Sequence, residues 1–373
     1  MRRITSLTLR DIRSYAAFDA DLTGRSVVIT GPNGAGKTNI LETLTLFGAG
    51  RGLRGAKLSD IVRQGGGDAP GAALSLADEA SDAVRLVVSI TPPRFDRREV
   101  KIDGEPTRSA SALADIIRFL WLTPAMDRLF MDAPAERRRF LDRIAAAGSS
   151  EHVAIAARYE KAMKQRMALL EQGGDSKLLA MFEEDMADAG LALALARKRT
   201  AEGLAQGYEA LRQEAFPRAH LFIEGEIELL LAEHGEDGAR KGFAERLVRG
   251  RRIDRDAKRT LVGPHRSDLV VTHEDKQMPA KQCSTGEQKA LLIGLILAQA
   301  SAAQRTAGSA SLILLLDEIV AHLDQYRRAA LADILENLGL QAFLTGTDPE
   351  PFEAFLGSMD HLQPHNHKPT STH

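Results

Sequence analysis

Residues 31–38 follow the pattern GxxxxGK[ST] of a phosphate-binding loop, or P-loop. The pattern comes directly after the β-branched run 26–30 and before the apolar segment 40–47, which is the strand, loop and helix context that it requires. Glycines allow positive φ, so backbone N–H groups can turn toward phosphates at the amino-terminal end of a helix. We expect Lys37 to reach the β- and γ-phosphates and Thr38 to bind Mg2+. The nucleotide-binding candidates are Gly31, Asn33, Gly34, Gly36, Lys37, Thr38 and Asn39.

Two adjacent carboxylates follow a second apolar run. Residues 312–316 predict a buried strand, and Asp317 and Glu318 come at its carboxyl end, where open α/β sheets bind ligands. We expect Asp317 to hold Mg2+ and Glu318 to act as the catalytic base that orients and deprotonates the attacking water. The alternative is a pair of solvated acids at the start of the next helix. The P-loop in the same chain favours the catalytic interpretation.

A third segment, residues 283–289, begins a long apolar helix. Ser284 and Gly286 lie at its start, where a hydroxyl and free N–H groups suit a phosphate, although by itself the pattern is more simply a serine helix cap. Because Asp317 follows Ser284 by 33 residues in a chain with a P-loop, the segment resembles the signature motif of ATP-binding-cassette (ABC) ATPases. Residues 321–324 resemble the D-loop of that class, and Asp324 could also cap a helix.

The elements that must position these residues are split along the chain. Residues 1–146 read as short strands around one helix, and residues 261–373 resume the strand and helix alternation and end in a polar tail. Residues 147–260 are mainly helical, with a strand-like run at 221–231. The predicted fold class is therefore α/β, an ABC-type ATPase head split in sequence by an inserted, mainly helical arm domain.

The spacing of the motifs limits the length of this arm. The 246 residues from Thr38 to Ser284 are too many for the compact nucleotide domain of a transporter and too few for the long coiled coils of SMC ATPases. Predicted helices of about 20 and 39 residues would reach only about 30 and 60 Å at 1.5 Å per residue. We therefore expect a short arm without a long coiled coil.

Composition excludes several classes of protein. The 373 residues carry a formal net charge of −2, which excludes a wholly basic nucleic-acid coat and an acidic disordered chain. The one cysteine, Cys283, excludes a disulfide framework and fits a reducing compartment. No apolar run approaches the roughly 20 residues needed to span a bilayer, and residues 1–5 lack a signal core. We therefore expect a cytoplasmic protein with no membrane partner.

Three further segments resemble successive motifs of the RecF family of bacterial recombination mediators: residues 9–15 (LRDIRSY), 132–142 (DAPAERRRFLD) and 263–269 (GPHRSDL). The resemblance covers nearly the whole chain except the tail and is weakest over about residues 150–240. It implies an ATPase that forms a head-to-head homodimer on binding ATP, in which Ser284 and Gly286 of one subunit cap the nucleotide held by Lys37 of the other. It also implies binding to double-stranded DNA and to duplex junctions beside gaps, and work with RecO and RecR to load RecA.

The sequence departs from these patterns in places. Cys283 stands where an aliphatic residue usually precedes the signature serine, and Ala125 stands where the family commonly has an acid. Many ABC ATPases have a histidine after the strand represented here by residues 342–345, where this chain offers Thr347. We expect Thr347 to hydrogen-bond only near the γ-phosphate, so that hydrolysis is slow. Arg13 is either a phosphate contact or a surface arginine.

Two groups of arginines are candidates for surface contacts. Residues 246–259 carry a local charge of +5, and we expect Arg249, Arg251 and Arg252 to meet DNA phosphates, against the alternative of a solvated helix paired with nearby acids. Residues 137–139 are three arginines at a helix start, where cations are unfavourable. We expect one or two of them to pair with acids such as Glu136 or Asp142.

Two other functions are consistent with the sequence. One is the ATPase motor subunit of a membrane transporter, which would never touch DNA but would require a membrane partner and a shorter insertion. The other is an SMC-like structural clamp, which would require a long heptad array. The motif spacing favours neither.

Overall fold

The computed structural model describes residues 1–48, 52–67, 69–78, 83–90, 97–107, 110–211, 213–306 and 310–364. Contacts divide the chain into two compact units. The first comprises Met1–Met126, Gln213–Ala215 and Ala303–His373, and the second comprises Asp127–Arg212 and Phe216–Ala302. The first unit is thus assembled from both ends of the chain. The predicted domain boundaries at residues 147 and 261 stay a proposal, since these contacts group residues 127–146 and 261–302 with the arm helices.

Strands and helices alternate at both ends of the chain, and helices dominate its middle. The strands of the described residues are β1 Arg3–Ile12, β2 Tyr15–Asp21, β3 Val27–Thr30, β4 Gly71–Ala77, β5 Val84–Ser89, β6 Glu99–Ile102, β7 Glu105–Thr107, β8 Ile117–Leu122, β9 Ala219–Glu224, β10 Asp268–His273, β11 Met278–Pro279, β12 Ser311–Leu316, β13 Gln341–Gly346 and β14 Asp360–Leu362. The helices are α1 Lys37–Thr45, α2 Leu58–Ile61, α3 Ala110–Ala114, α4 Pro134–Gly148, α5 Ser150–Gln172, α6 Ser176–Leu211, α7 Glu226–Ala257, α8 Thr285–Thr306, α9 Gln325–Leu338 and α10 Glu353–Leu356. Among the described residues, no helix combines the length and the apolar composition needed to cross a bilayer.

Five strands of the first unit form a parallel sheet in the order β14-β3-β13-β12-β8. Every residue of β3, β12 and β13 is buried, which is typical of a parallel sheet covered on both faces. Parallel strands end at the same edge of a sheet, so the loops that follow β3, β13 and β12 are neighbours. This edge carries the P-loop after β3 and the acidic pair after β12.

A six-stranded antiparallel sheet, in the order β2-β1-β4-β5-β6-β7, completes the first unit. In β4 the buried residues Ala72, Leu74 and Leu76 alternate with partly exposed ones, which is typical of a sheet with one face on a core. These side chains share a hydrophobic cluster with Ile40 and Leu44 of α1. The cluster therefore fixes the helix that follows the P-loop.

Three long helices, α5, α6 and α7, form the core of the second unit. Tyr159, Met186, Phe243 and Leu247 are buried together between them. Gly190 of α6 allows the helices to approach, because a Cβ there would lie 2.7 Å from the Phe243 ring. The longest helix of the described residues, α6, has 36 residues and spans about 54 Å at 1.5 Å per residue. The prediction of a short arm without a long coiled coil is confirmed.

One predicted strand of this unit is wrong over half its length. Residues 221–231 are predicted as a strand, but β9 ends at Glu224 and α7 begins at Glu226. Ile227 and Leu230 are buried at helical spacing, so the second part of the apolar run supplies a helix face. A short apolar run fits both the two-residue period of a strand and the 3.6-residue period of a helix, and only the packing decides between them. The remaining strand, β9, lies at the edge of a three-stranded antiparallel sheet in the order β11-β10-β9.

Candidate functional site

The loop between β3 and α1 has the backbone conformation that a phosphate-binding turn needs. Gly31, Gly34 and Gly36 all have positive φ. Gly36 is required, because a Cβ there would lie 2.5 Å from the hydroxyl oxygen of Tyr15. That hydroxyl donates a hydrogen bond to the carbonyl oxygen of Ala35 (3.2 Å) and so supports the loop from β2. The glycines thus allow both the positive φ values of the turn and the close approach of Tyr15.

Lys37 lies at the start of α1 with a buried side chain that turns back over the loop. Its Nζ donates to the carbonyl oxygens of Gly31 (2.7 Å) and Pro32 (3.1 Å). Asn33 and Gly34, at the tip of the loop, are exposed. The ammonium is therefore held at an open loop, where phosphate oxygens could replace the two carbonyls as acceptors.

Asp317, at the end of β12, brings the P-loop and two strands of the sheet together. The Thr38 hydroxyl donates to Oδ1 of Asp317 over 3.0 Å, and the Thr345 hydroxyl donates to the same oxygen over 2.7 Å. Burial raises the pKa of the Asp317 carboxyl, while these two hydrogen bonds act in the opposite direction. A carboxylate and a hydroxyl are hard oxygen ligands of the kind that Mg2+ prefers. Thr38 and Asp317 therefore fit the predicted metal site.

Glu318 differs from Asp317 in exposure although the two residues are adjacent. Asp317 is 5% exposed and Glu318 is partly exposed, so they are not a pair of solvated acids. Glu318 has φ 53°, an uncommon value for a residue with a side chain, and its N–H donates to the Thr345 hydroxyl (2.9 Å). Backbone strain of this kind clusters at functional sites. The buried acid suits metal binding, and the partly exposed one suits contact with water.

Thr345 is a site residue that the sequence analysis missed. It is fully buried near the end of β13, accepts the Glu318 N–H and donates to Asp317. The predicted Thr347 is exposed, and its hydroxyl donates to Asp348 (2.9 Å), so its contact near the γ-phosphate stays a prediction. A threonine at the carboxyl end of an otherwise apolar parallel strand is the signal that would have indicated Thr345.

Arg13 does not lie free beside the loop. Its guanidinium donates to both carboxylate oxygens of Glu42, over 2.8 and 2.9 Å, and to the backbone oxygen of Asp60 (2.7 Å). Glu42 belongs to α1 and is 1% exposed, so Arg13 neutralises a buried acid. The structure therefore places Arg13 in an ion pair that supports α1.

Asn39 and Arg54 lie near the same end of α1. The Asn39 amide donates to the Ser14 hydroxyl (3.0 Å), which links α1 to the β1–β2 turn. Arg54 is half exposed, lies 3.8 Å from Glu42, and its positive charge acts to lower the pKa of Asp317. Arg54 was not among the predicted site residues, yet its positive charge acts on the Asp317 carboxylate.

Ser284 of the second unit forms a capping box with Glu287. The Ser284 N–H and hydroxyl both donate to Oε2 of Glu287 over 2.9 Å, and the Glu287 N–H donates back to the hydroxyl (3.4 Å). The Lys276 ammonium contacts the same carboxylate, and that contact and the serine bonds lower the pKa of Glu287 to about 2. The predicted helix start is present, and its serine is held by a carboxylate of its own helix.

The residues at the start of α8, Ser284 to Gly286, are exposed. A Cβ at Gly286 would touch nothing within 4 Å. Cys283 is 6% exposed, and burial raises the pKa of its thiol, as expected for a small buried hydrophobe. Asp324 of the first unit caps α9, because its Oδ1 accepts the Arg327 N–H (2.8 Å). The structure thus shows the capping role of Asp324 that the sequence left open.

The three arginines proposed for DNA do not share one environment. Arg249 is 78% exposed and pairs with Glu245 (2.9 Å), and Arg252 is exposed. Arg251 turns inward, and its Nε donates to the buried Glu183 over 3.0 Å. Arg249 and Arg251 thus pair with acids, as the alternative of a solvated helix expects. Arg252 remains accessible to DNA.

Comparison with known proteins finds a matching family and relatives that align with nearly the whole chain. The family described as RecF/RecN/SMC N terminal domain matches residues 3–363. A protein of Caulobacter sp. (strain K31) is 45% identical over 372 residues, covering 95% of this chain and 94% of its own, and one of Allorhizobium ampelinum is 46% identical over 359 residues with the same coverage. Both carry the name DNA replication and repair protein RecF.

Two solved structures show the same fold at low sequence identity. The recombination mediator protein RecF-ATPrS in the RecFOR pathway has a TM-score of 0.80 at 21% identity, covering 94% of both chains. An Smc head domain from Pyrococcus furiosus, with an extended coiled coil, has a TM-score of 0.51 at 17% identity, covering 96% of this chain and 92% of its own. The predicted α/β ATPase-head fold is confirmed.

Proposed function

The chain belongs to the RecF family of the RecF/RecN/SMC group, and we propose that it is an ATP-dependent DNA-binding protein of DNA replication and repair that hydrolyses ATP slowly. The observation that carries the ATPase part is the meeting of Thr38, Asp317 and Thr345 at one edge of the parallel sheet. The names of relatives about 45% identical over nearly the whole chain support the DNA part.

The residues at this edge divide the work of phosphoryl transfer between them. The turn at residues 31–36 offers backbone N–H groups to phosphates, and Lys37 adds a cation. Thr38 and Asp317 would hold Mg2+, and the ion would supply positive charge to the phosphates. Glu318 orients water and accepts its proton, a role worth about 10² to 10⁴ in rate. Thr347 offers only an exposed hydroxyl in place of a switch histidine, which supports slow hydrolysis.

The signature segment supports a dimer as the active form. Ser284 lies at the start of α8 with open space in front of Gly286, so a terminal phosphate could approach the helix from outside. In the proposed homodimer these residues cap the nucleotide of the partner subunit. An incoming phosphate would compete with the Glu287 carboxylate for the serine hydroxyl, since both are anions that accept a hydrogen bond from it.

The names of the relatives also point to partners and to a biological setting. One solved relative is described as a recombination mediator of the RecFOR pathway, which supports work with RecO and RecR. RecA loading and binding to duplex DNA beside gaps are what the resemblance to the RecF family implies. Action in the cytoplasm follows from that role. No observation in the described residues favours the motor of a transporter or a structural clamp.

Sedimentation and ATP turnover test this function directly. With Mg2+ and ATP the chain is expected to sediment as a dimer, and duplex DNA is expected to raise the turnover of ATP. Lys37→Ala is the control, because it removes the P-loop cation and should stay monomeric under the same conditions. The proposal would be contradicted if the chain neither bound ATP nor dimerised. It would also be contradicted if duplex DNA changed neither the ATP turnover nor the sedimentation of the chain.

A further inference from the structure

Residues 263–268 of the second unit are fixed by contacts from several helices. Arg197 of α6 donates to the carbonyl oxygen of Pro264 (2.6 Å). His265 is held on both ring nitrogens, because Nδ1 lies 2.7 Å from the Tyr159 hydroxyl of α5 and Nε2 lies 2.9 Å from the carbonyl oxygen of Thr260. The first half of the segment therefore cannot turn without breaking these three polar contacts.

The second half of the segment is fixed in the same way. The Ser267 hydroxyl donates to the Glu228 carboxylate of α7 (2.9 Å). Arg137 of α4 donates to both carboxylate oxygens of Asp268, over 2.8 and 2.6 Å. Both contacts are charge-assisted, and the one between Arg137 and Asp268 is bidentate. The backbone is therefore held in place on both sides of residue 266.

Arg266 is the exception in this fixed segment. Its N–H closes a turn onto the Gly263 carbonyl oxygen (2.9 Å), but its side chain is exposed and has no ion-pair or hydrogen-bond partner among the residues that the structure describes. Arg138 of α4 lies beside it, since its Nη1 donates to the backbone oxygen of Ser267 (2.6 Å), the next residue. Arg138 is partly exposed, and the described residues offer its charge no carboxylate within ion-pair distance.

The positive charge of Arg266 acts unfavourably on the positive charge of Arg138. Burial lowers the pKa of Arg138, and the charges of Arg197 and Arg266 lower it further, while Asp268 and Asp142 act in the opposite direction. Both carboxylates are engaged elsewhere, Asp268 by Arg137 and Asp142 by Arg197. Arg138 also lies near the amino-terminal end of α4, where the helix dipole favours an anion. An anion that contacts both arginines would relieve this repulsion.

We propose that Arg138 and Arg266 form a site for a phosphate group of the duplex DNA backbone. Guanidinium groups bind phosphate through paired N–H donors, and a rigid support lowers the entropy lost on binding. The site rests on the proposed DNA binding and names where in the second unit one backbone phosphate is held. It is separate from Arg249, Arg251 and Arg252, which lie on α7.

Fluorescence anisotropy with a labelled blunt duplex, in ATP and Mg2+ at four or more salt concentrations, tests the site. The variants are Arg266→Gln, Arg138→Gln and the double variant. Arg139→Gln is the matched control, because this neighbouring arginine is 73% exposed and pairs with Glu136. A fluorescent ATP analogue and sedimentation check that each variant still binds nucleotide and dimerises.

Each single variant is expected to bind the duplex about tenfold more weakly, and to lower the log–log salt slope by about one, whatever the DNA sequence. The double variant should lose little more than either single one, because both arginines serve one phosphate. Arg139→Gln should match the parent. If Arg266→Gln and Arg138→Gln keep the parental affinity and slope, the site is wrong although the proposed function stands; if the parent itself ignores duplex DNA, both fail.

Discussion

The Thr345 hydroxyl lies 2.7 Å from Oδ1 of Asp317 and donates a hydrogen bond to it. Asp317 directly follows β12 and Thr345 is the last residue but one of β13, and the register that pairs Leu316 with Leu344 brings them side by side. The hydrogen bond holds a buried carboxylate in one orientation toward Thr38. The same hydroxyl accepts the Glu318 N–H, so one side chain positions both members of the acidic pair.

Thr345→Val tests this relationship with little change in shape. The variant loses the donor to Asp317 and the acceptor for the Glu318 N–H, and a hydrogen bond to a charged group is worth about 1.5–3 kcal/mol. We expect ATP turnover to fall at least about tenfold, measured as phosphate release under saturating ATP. Thr347→Val serves as a comparison, because that hydroxyl is exposed and donates to Asp348. Parental turnover in Thr345→Val would remove Thr345 from the site.

Lys37→Ala and Glu318→Gln should separate binding from hydrolysis. The first variant removes the ammonium held at the P-loop, so ATP binding and ATP-induced dimers should both be lost. The second keeps the shape of the side chain but removes the base, so ATP should stay bound and the dimer should persist while turnover falls about 10²- to 10⁴-fold. Nucleotide titration and sedimentation measure both. Parental turnover in Glu318→Gln would assign the base elsewhere.

Ser284→Arg should prevent association without preventing nucleotide binding. The added cation and bulk would stand in front of α8, where the partner's terminal phosphate is proposed to lie, while the P-loop is unchanged. Sedimentation in ATP should show a monomer that still binds a fluorescent ATP analogue. Ser176→Arg is the matched control, because Ser176 is an exposed serine at the start of another helix, α6. Undiminished dimers of Ser284→Arg would exclude capping in trans.

Arg251 and Arg252 are adjacent but should behave differently. Arg251→Met removes a partner of the buried Glu183 and should lower the free energy of unfolding by about 1.5–3 kcal/mol, measured by urea denaturation. Arg252→Met should stay within about 0.5 kcal/mol of the parent, because Arg252 is exposed. If the α7 surface meets DNA, Arg252→Met alone should flatten the salt dependence of duplex binding, by about one unit of log–log slope. Identical slopes would remove Arg252 as a contact for a DNA phosphate.

The sequence predicted the parts of the site that are contiguous in the chain. The turn at residues 31–38 depends on glycines and a helix start within eight residues, and the acidic pair depends on one apolar strand. Such patterns reflect backbone freedom and burial over a few residues, which are properties of the local sequence. The α/β fold class and the short arm followed from the same kind of information.

The tertiary structure alone decided which distant residues meet. Thr345 reaches Asp317 across 28 positions, Arg13 reaches Glu42 across 29, and Arg251 reaches Glu183 across 68. In each case the sequence showed a charged or polar residue but not the residue with which it pairs. The choice depends on strand register and helix packing, because hydrogen bonds and ion pairs act over only about 3–4 Å through space. Thus residue types and short spacings determined the chemistry available to this protein, and packing decided which side chains perform it.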